Sequence, residues 1–340
     1  MPAGTEGDGY MENQQSGFLP AMLRNLRDMR MRMTDPAGPG EKSDKGKRQT
    51  VFEYEAVMMI RKELPAGMGL DAEGYEYFGP EDAEFILALD PTDGTAGDAR
   101  SLGAGVKNGL PVTAVMVIRE NVPNSTFASV KYAGVLDLRH GEIFTAGSDG
   151  AWRGDQNLGE SLKAVSQYNV HAPAVTTEIA RRANSFFRFL IPYGLYPEVF
   201  ADSNSSALVM LWALQGYCDL WWNSNLPGIS GAGQRGHELG AMAVFARAMG
   251  ACALQTRIEG NQVVIAGSLD DAPYTFDGQT SVILGPDRKV VDHYLGLVNA
   301  SLSRKVSFGP IGGELCLAEV LAELNRQCPN ERWGLPLVKE

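Results

Sequence analysis

Five apolar residues, Phe85-Ile86-Leu87-Ala88-Leu89, run straight into Asp90-Pro91-Thr92-Asp93-Gly94-Thr95. An apolar run of this length, bounded by turn-forming residues, reads as a buried strand. The two aspartates that follow are three residues apart, and Pro91 stiffens the chain between them, so their carboxylates can point into one small volume. Carboxylate oxygens are the ligands magnesium prefers, and two carboxylates this close repel each other unless a cation sits between them. Gly94 lets the backbone come near a ligand, and peptide N–H groups from Gly94 onward can face a phosphate. The Thr95 hydroxyl can orient a water. An Asp-Gly turn on its own usually caps a loop; the full six-residue string on a buried strand is far more specific.

The rest of the chain mixes strands and helices in both halves, which implies layered sheets covered by helices, an α+β class. Residues 1–16 are polar and Gly-rich and read as a flexible tail. Apolar residues at helical spacing predict a helix over Phe18–Met33 and another over Val51–Leu64, with Thr34–Thr50 a mobile loop between them. Beyond the FILAL strand, strands are expected at Val112–Ile118, Phe127–Leu136 and Glu142–Ala146. A buried helix at Ala207–Tyr217 and a strand at Cys218–Asn223 lead to the glycine-rich loop Leu226–Gly236 and a helix at His237–Met249. Short strands near Ala253–Ile258, Val263–Ala266 and Thr280–Leu284 precede two helices, Arg288–Leu302 and Glu314–Arg326. The boundary between an N-terminal half (17–165) and a C-terminal half (166–340) falls near residue 165.

Charge narrows the function. A formal net charge of −11 over 340 residues argues against nucleic acid or an anionic membrane as partner, since both require a basic face. A small anionic substrate remains compatible, because bound cations supply positive charge locally. Four cysteines (Cys218, Cys252, Cys316 and Cys328) show no C-x-x-C spacing, and no apolar leader is visible, which points to reduced thiols in a cytoplasmic protein.

The DPTDGT string resembles the signature of the inositol monophosphatase and fructose-1,6-bisphosphatase superfamily of lithium-sensitive, magnesium-dependent phosphatases. Gly236-His237-Glu238-Leu239-Gly240-Ala241-Met242 resembles a second motif, an acid at the start of a helix of small residues, with Glu238 where the inositol monophosphatases usually carry Asp. Ala146–Gly154 (AGSDGAWRG) and the segment from Ser205-Ser206-Ala207 to Asp219 are weaker matches. The likeness runs from about residue 50 to about residue 300 and implies an αβαβα sandwich of the inositol monophosphatase type.

The resemblance implies roles residue by residue. Asp90 bridges two magnesium ions, Asp93 and Glu238 hold the second ion, and the Thr92 carbonyl helps bind the first. Two or three Mg2+ ions are expected, with Mn2+ as a substitute. Gly94 and Thr95 meet the phosphate, and Thr95 positions an attacking water. The family's Glu-Glu pair upstream is missing; Glu73 takes its place as ligand and base, with Glu76 as the alternative. Thr50-x-x-Glu53 resembles the family's Thr-x-x-Asp, which makes Glu53 the support of the Thr95 hydroxyl. After Asp-Gly-Thr the family's short loop is replaced by Ala96-Gly97-Asp98-Ala99-Arg100 and a longer one. Arg100, Lys107, Gln234 and Arg235 are the candidates for touching substrate, and His237, beside Glu238, is a candidate supporting residue. The expected activity is hydrolysis of a small phosphorylated metabolite by direct attack of a metal-activated water, in a homodimer.

Three other readings compete. A haloacid dehalogenase-like phosphatase also has a strand followed by Asp and Asp-Gly-Thr, but its aspartates are two residues apart and the first attacks phosphorus. An EF-hand loop needs alternating ligands and a terminal Glu, both absent here. A non-catalytic metal- or ligand-binding protein on the same fold is the alternative from another functional class.

Overall fold

The computed structural model describes residues 8–36, 38–42, 45, 48–94, 112–160, 206–217, 220–222, 236–274, 281–303, 305–307 and 314–316. The chain opens with a long helix, α1 (Asp8–Arg32), then a small antiparallel hairpin of β1 (Pro39–Lys42) and β2 (Arg48–Thr50), then α2 (Val51–Glu63). Two expectations are corrected here. Residues 8–16 belong to a helix, because a nucleated helix gains one hydrogen bond per added residue and Met11, Glu12, Gln14 and Gln15 are good helix formers. The predicted loop at 34–50 contains the hairpin. Gly40 makes that pairing possible: a Cβ there would lie 2.5 Å from the Thr50 carbonyl oxygen.

Strands β3 (Met68–Ala72), β4 (Phe85–Asp93), β5 (Thr113–Glu120), β6 (Val130–Asp137), β7 (Ile143–Gly147), β8 (Gly150–Arg153) and β9 (Gln156–Asn157) make, among the described residues, a seven-stranded sheet in sequence order. The AGSDGAWRG stretch is the hairpin between β7 and β8, with Gly147 opposite Gly150. All the neighbours are antiparallel except β3 and β4, which run parallel. The chain therefore does not go down one strand and back up the next between residues 73 and 90. It loops back over 73–84, short for a parallel crossover.

Both faces of this sheet are covered, and its strands show it. Leu87, Leu89, Ala114, Met116 and Ile118 face one core with Leu19, Leu23 and Leu26 of α1 and Phe52, Val57 and Ile60 of α2. The residues between them, Ala88, Val115 and Val117, face a second core. Alternating side chains thus serve two layers, which is why these strands are apolar throughout. At Gly134 on β6 a Cβ would lie 2.3 Å from Leu19 and 2.5 Å from Leu23, so the missing side chain seats α1 on the sheet.

The second core holds α3 (Ser206–Leu214) and α4 (Gly236–Met249), sandwiched against a sheet that has four strands among the described residues, β10 (Trp221–Trp222), β11 (Cys252–Glu259), β12 (Gln262–Ser268) and β13 (Val282–Gly285), in the order β10-β13-β11-β12. A helix packed on both sides needs small residues. At Gly240 a Cβ would already be 3.3 Å from Tyr274 and from Val130, and Ala241, Ala243 and Ala246 continue the theme. Helix α5 (Arg288–Leu302) packs on β12 and β13, its Val291 and Leu295 one turn apart on the buried side. The layers read helix, sheet, helix, sheet, helix, the αβαβα sandwich expected. A short hairpin, β14 (Lys305–Ser307) with β15 (Glu314–Cys316), replaces the start of the helix expected at Glu314–Arg326. Cross-strand pairing overrides the helical spacing there, and residues 317–326 lie outside the described residues.

Candidate metal centre

The candidate centre forms where β3 and β4 end and α4 begins. Strand β4 does not stop at Asp90 but continues extended to Asp93. In a regular strand, residues three apart point to opposite faces. Here Asp90 pairs with Val115 and Asp93 with Thr113, so three steps on β4 match two on β5. That extra residue is a β-bulge, and it turns Asp93 back toward the side that Asp90 faces. Pro91, with no N–H to give the ladder, fits inside the irregularity.

Each carboxylate is also fixed locally. The Thr92 N–H donates to Asp90 Oδ1 at 2.9 Å. Asp93 Oδ2 accepts from the Ala207 N–H at 3.0 Å, and the Thr113 hydroxyl lies 3.5 Å away. Ala207 is in the first turn of α3, so Asp93 answers that helix's free amide groups and ties the two halves together. Asp90, Thr92 and Asp93 are 5%, 5% and 9% exposed.

Glu73 arrives by register. Ala72 pairs with Leu89 in the parallel ladder, and the Glu73 N–H donates to the Leu89 carbonyl at 2.9 Å, so Glu73 and Asp90 occupy the next rung. Glu238 and His237 come from the first turn of α4, where the helix dipole favours negative charge. One donor atom each from Asp90, Asp93 and Glu238 lie within 4.8 Å of one another, and so do donors from Glu73, Asp90 and His237. Asp90 is common to both groups. The donor chemistry fits a dication: carboxylates brought this close repel one another unless a cation lies between them.

Glu76, the alternative to Glu73, is exposed and stands in neither group. Glu53 is buried and closes a capping box on α2: its Oε2 accepts from the Thr50 N–H at 2.6 Å, and its own N–H donates to the Thr50 hydroxyl at 3.2 Å. Gly94 has a φ of 100°, a left-handed conformation suited to glycine. Thr95, Arg100, Lys107, Gln234 and Arg235 lie outside the described residues. His237, read from sequence as a supporting residue, stands in the centre itself. It is 0% exposed, and its Nε2 is 3.5 Å from Asp90 Oδ2. Its place directly before Glu238 at a helix start was the available signal.

No protein-family model matches the chain, and no curated protein matches it. Solved structures do. The chain is similar to the IMPase of Thermotoga maritima at 15% identity and TM-score 0.54, over 84% of this chain and 97% of that one. It is similar to the fructose-1,6-bisphosphatase of Leishmania major at 12% identity and TM-score 0.55, over 88% and 95% of the two chains. At these identities the likeness is one of fold, and the fold is that of the inositol monophosphatase and fructose-1,6-bisphosphatase structures, as the sequence motifs implied.

Proposed function

We propose that this chain is a magnesium-dependent phosphomonoesterase acting on a small phosphorylated metabolite, namely an inositol, sugar or nucleotide phosphate. The observation that carries this reading is the pair of donor groups sharing Asp90, each with its atoms within 4.8 Å. Glu73, Asp90, Asp93 and Glu238 hold two or three Mg2+ ions, with the Thr92 carbonyl assisting. Bound there, the ions neutralise phosphate oxygens and lower the pKa of a water.

The chain's own groups do the rest. Glu73, supported from the β3–β4 ladder, takes the proton of the attacking water. Thr95 orients that water, with Glu53 behind it, and the Gly94 turn approaches the phosphate. The oxygen of water bonds to phosphorus as the P–O bond to the ester oxygen breaks in line with it, and the leaving oxygen takes a proton from solvent water. Arg100, Gln234 and Arg235, on the segments after β4 and before α4, select the substrate. The working form is a cytoplasmic homodimer that binds neither nucleic acid nor membrane. Among the described residues no helix is long and apolar enough to cross a membrane.

A panel of phosphorylated metabolites, assayed for phosphate release with Mg2+ and again with excess chelator, tests the reading. Release with metal and none with chelator is the expected result; full activity in chelator overturns it. Hydrolysis in heavy-oxygen water should place one label in the released phosphate within a single turnover. A phosphorylated Asp90 trapped by acid would replace water attack with the dehalogenase-like route.

A further inference from the structure

We infer that His237 is a direct metal ligand, which makes the Glu73–Asp90–His237 group a mixed nitrogen–oxygen site that prefers a first-row transition dication to Mg2+. The inference rests on the metal-centre reading above and goes beyond it in ligand identity and metal choice. The imidazole is fully buried, and its donor atom lies within 4.8 Å of donors from both Glu73 and Asp90. Its separation from Asp90 Oδ2, 3.5 Å, is long for a charge-assisted hydrogen bond, which closes to about 2.7–2.9 Å. It is a natural separation for two donors on one ion. Ligands each about 2.1 Å from a shared cation stand up to about 4.2 Å apart.

Helix geometry accounts for the placement. His237 and Glu238 are consecutive in the first turn of α4, about 100° apart around its axis. At a helix end aimed into the centre, one side chain reaches each donor group. The two groups then differ chemically. Asp90, Asp93 and Glu238 offer oxygen alone, the set Mg2+ favours, whereas Glu73, Asp90 and His237 add an imidazole. Imidazole nitrogen binds Mn2+, Fe2+, Co2+ or Zn2+ far better than Mg2+, which holds to oxygen and water. A centre built this way takes unlike ions in its two halves.

The test uses Mn2+ as probe and reads coordination rather than turnover. Pulsed electron paramagnetic resonance on the full-length protein with Mn2+ should show coupling to a nitrogen nucleus, and growth on 15N-histidine should convert that signal to the 15N pattern. His237→Gln should abolish it, lower Mn2+ affinity about tenfold or more, and change Mg2+ affinity less than about threefold by calorimetry. His237→Asn is the second variant, in case the first does not fold. Bound Mn2+ without nitrogen coupling, or coupling that survives in both variants, overturns the assignment of His237 while leaving the metal centre standing. No Mn2+ binding at all overturns the centre itself.

Discussion

The two ends of α4 make an instructive contrast. At its start, Glu238 joins Asp90 and Asp93 in one donor group, and His237 joins Asp90 and Glu73 in another. In its last turn, Arg247 donates to the Asp270 carboxylate and to the backbone carbonyls of Val130 and Phe127. Both ends obey the helix dipole, acid at the start and base at the finish. They differ in which charges are gathered there. Around Arg247 the protein supplies the opposite charge, and in the cavity of about 560 Å³ beside it Lys131 likewise faces Glu120 at 3.3 Å. Around Asp90 the described residues bring three further carboxylates, Glu73, Asp93 and Glu238, into the two donor groups. Carboxylates crowded in this way repel one another unless a cation offsets them, and that is the role the proposed function gives to bound metal.

The sharpest break would come from Asp90, the residue common to both donor groups. Asp90→Asn is expected to lower turnover about 1,000-fold or more, measured as phosphate release. Its melting temperature without metal should hold or rise, because a crowded charge has been removed. A collapse of the apo fold would mean that the carboxylate serves structure, and the two ends would no longer differ in kind.

Next in size is Glu73→Gln, which should cost about 100- to 10,000-fold in kcat, the usual effect of losing a general base. Glu76→Gln, at an exposed side chain three residues on, should stay near wild type in the same assay. If Glu76→Gln is the damaging change, the base has been misassigned. If neither matters, the non-catalytic reading gains ground.

Metal binding gives a smaller, purely thermodynamic effect. Mg2+ at about 100 times its Kd should stabilise the wild type by about 2.7 kcal/mol in urea unfolding, and Asp90→Asn should lose most of that gain. Equal stabilisation of the two proteins would place the ions elsewhere. The mildest change belongs to the other end of the helix. Arg247→Ala should cost about 1 kcal/mol of folding stability, since the pair it makes with Asp270 is partly exposed, and should leave kcat/KM unaltered. A large loss of activity in a folded Arg247→Ala protein would show that the two ends are coupled.

Much of this was legible in the residues, and the reasons for the rest are physical. The strand before Asp90, the helix of small residues after His237 and sheets layered with helices follow from local patterns: an apolar run, an acid at a helix start, alternation of strands and helices. The five-layer order came only with the resemblance of the motifs to a known family. The bulge was not legible. It arises because β4 and β5 pair with one residue to spare, and no property of Asp90–Asp93 alone announces that. The parallel pairing of β3 with β4 was hidden in the same way, since the connection at 73–84 carries no helical crossover to advertise it. Helix α1 and the hairpin at 305–316 show the opposite failure, where composition suggested a tail or a helix and longer-range pairing or propagation decided otherwise.

The parallel rung that carries Glu73 beside Asp90 has a consequence for how such a protein can diversify. Glu73 is anchored by the strand preceding it, through its own N–H on the Leu89 carbonyl, and the connecting loop begins only after it. Phe78 pairs back onto Leu70, so residues inserted beyond Pro80 lengthen the path without altering the rung. The spacing of the two acids is therefore insulated from changes in the length of that loop. A longer or shorter connection after Pro80 can thus change what surrounds the centre while Glu73 and Asp90 keep their places on adjacent strands.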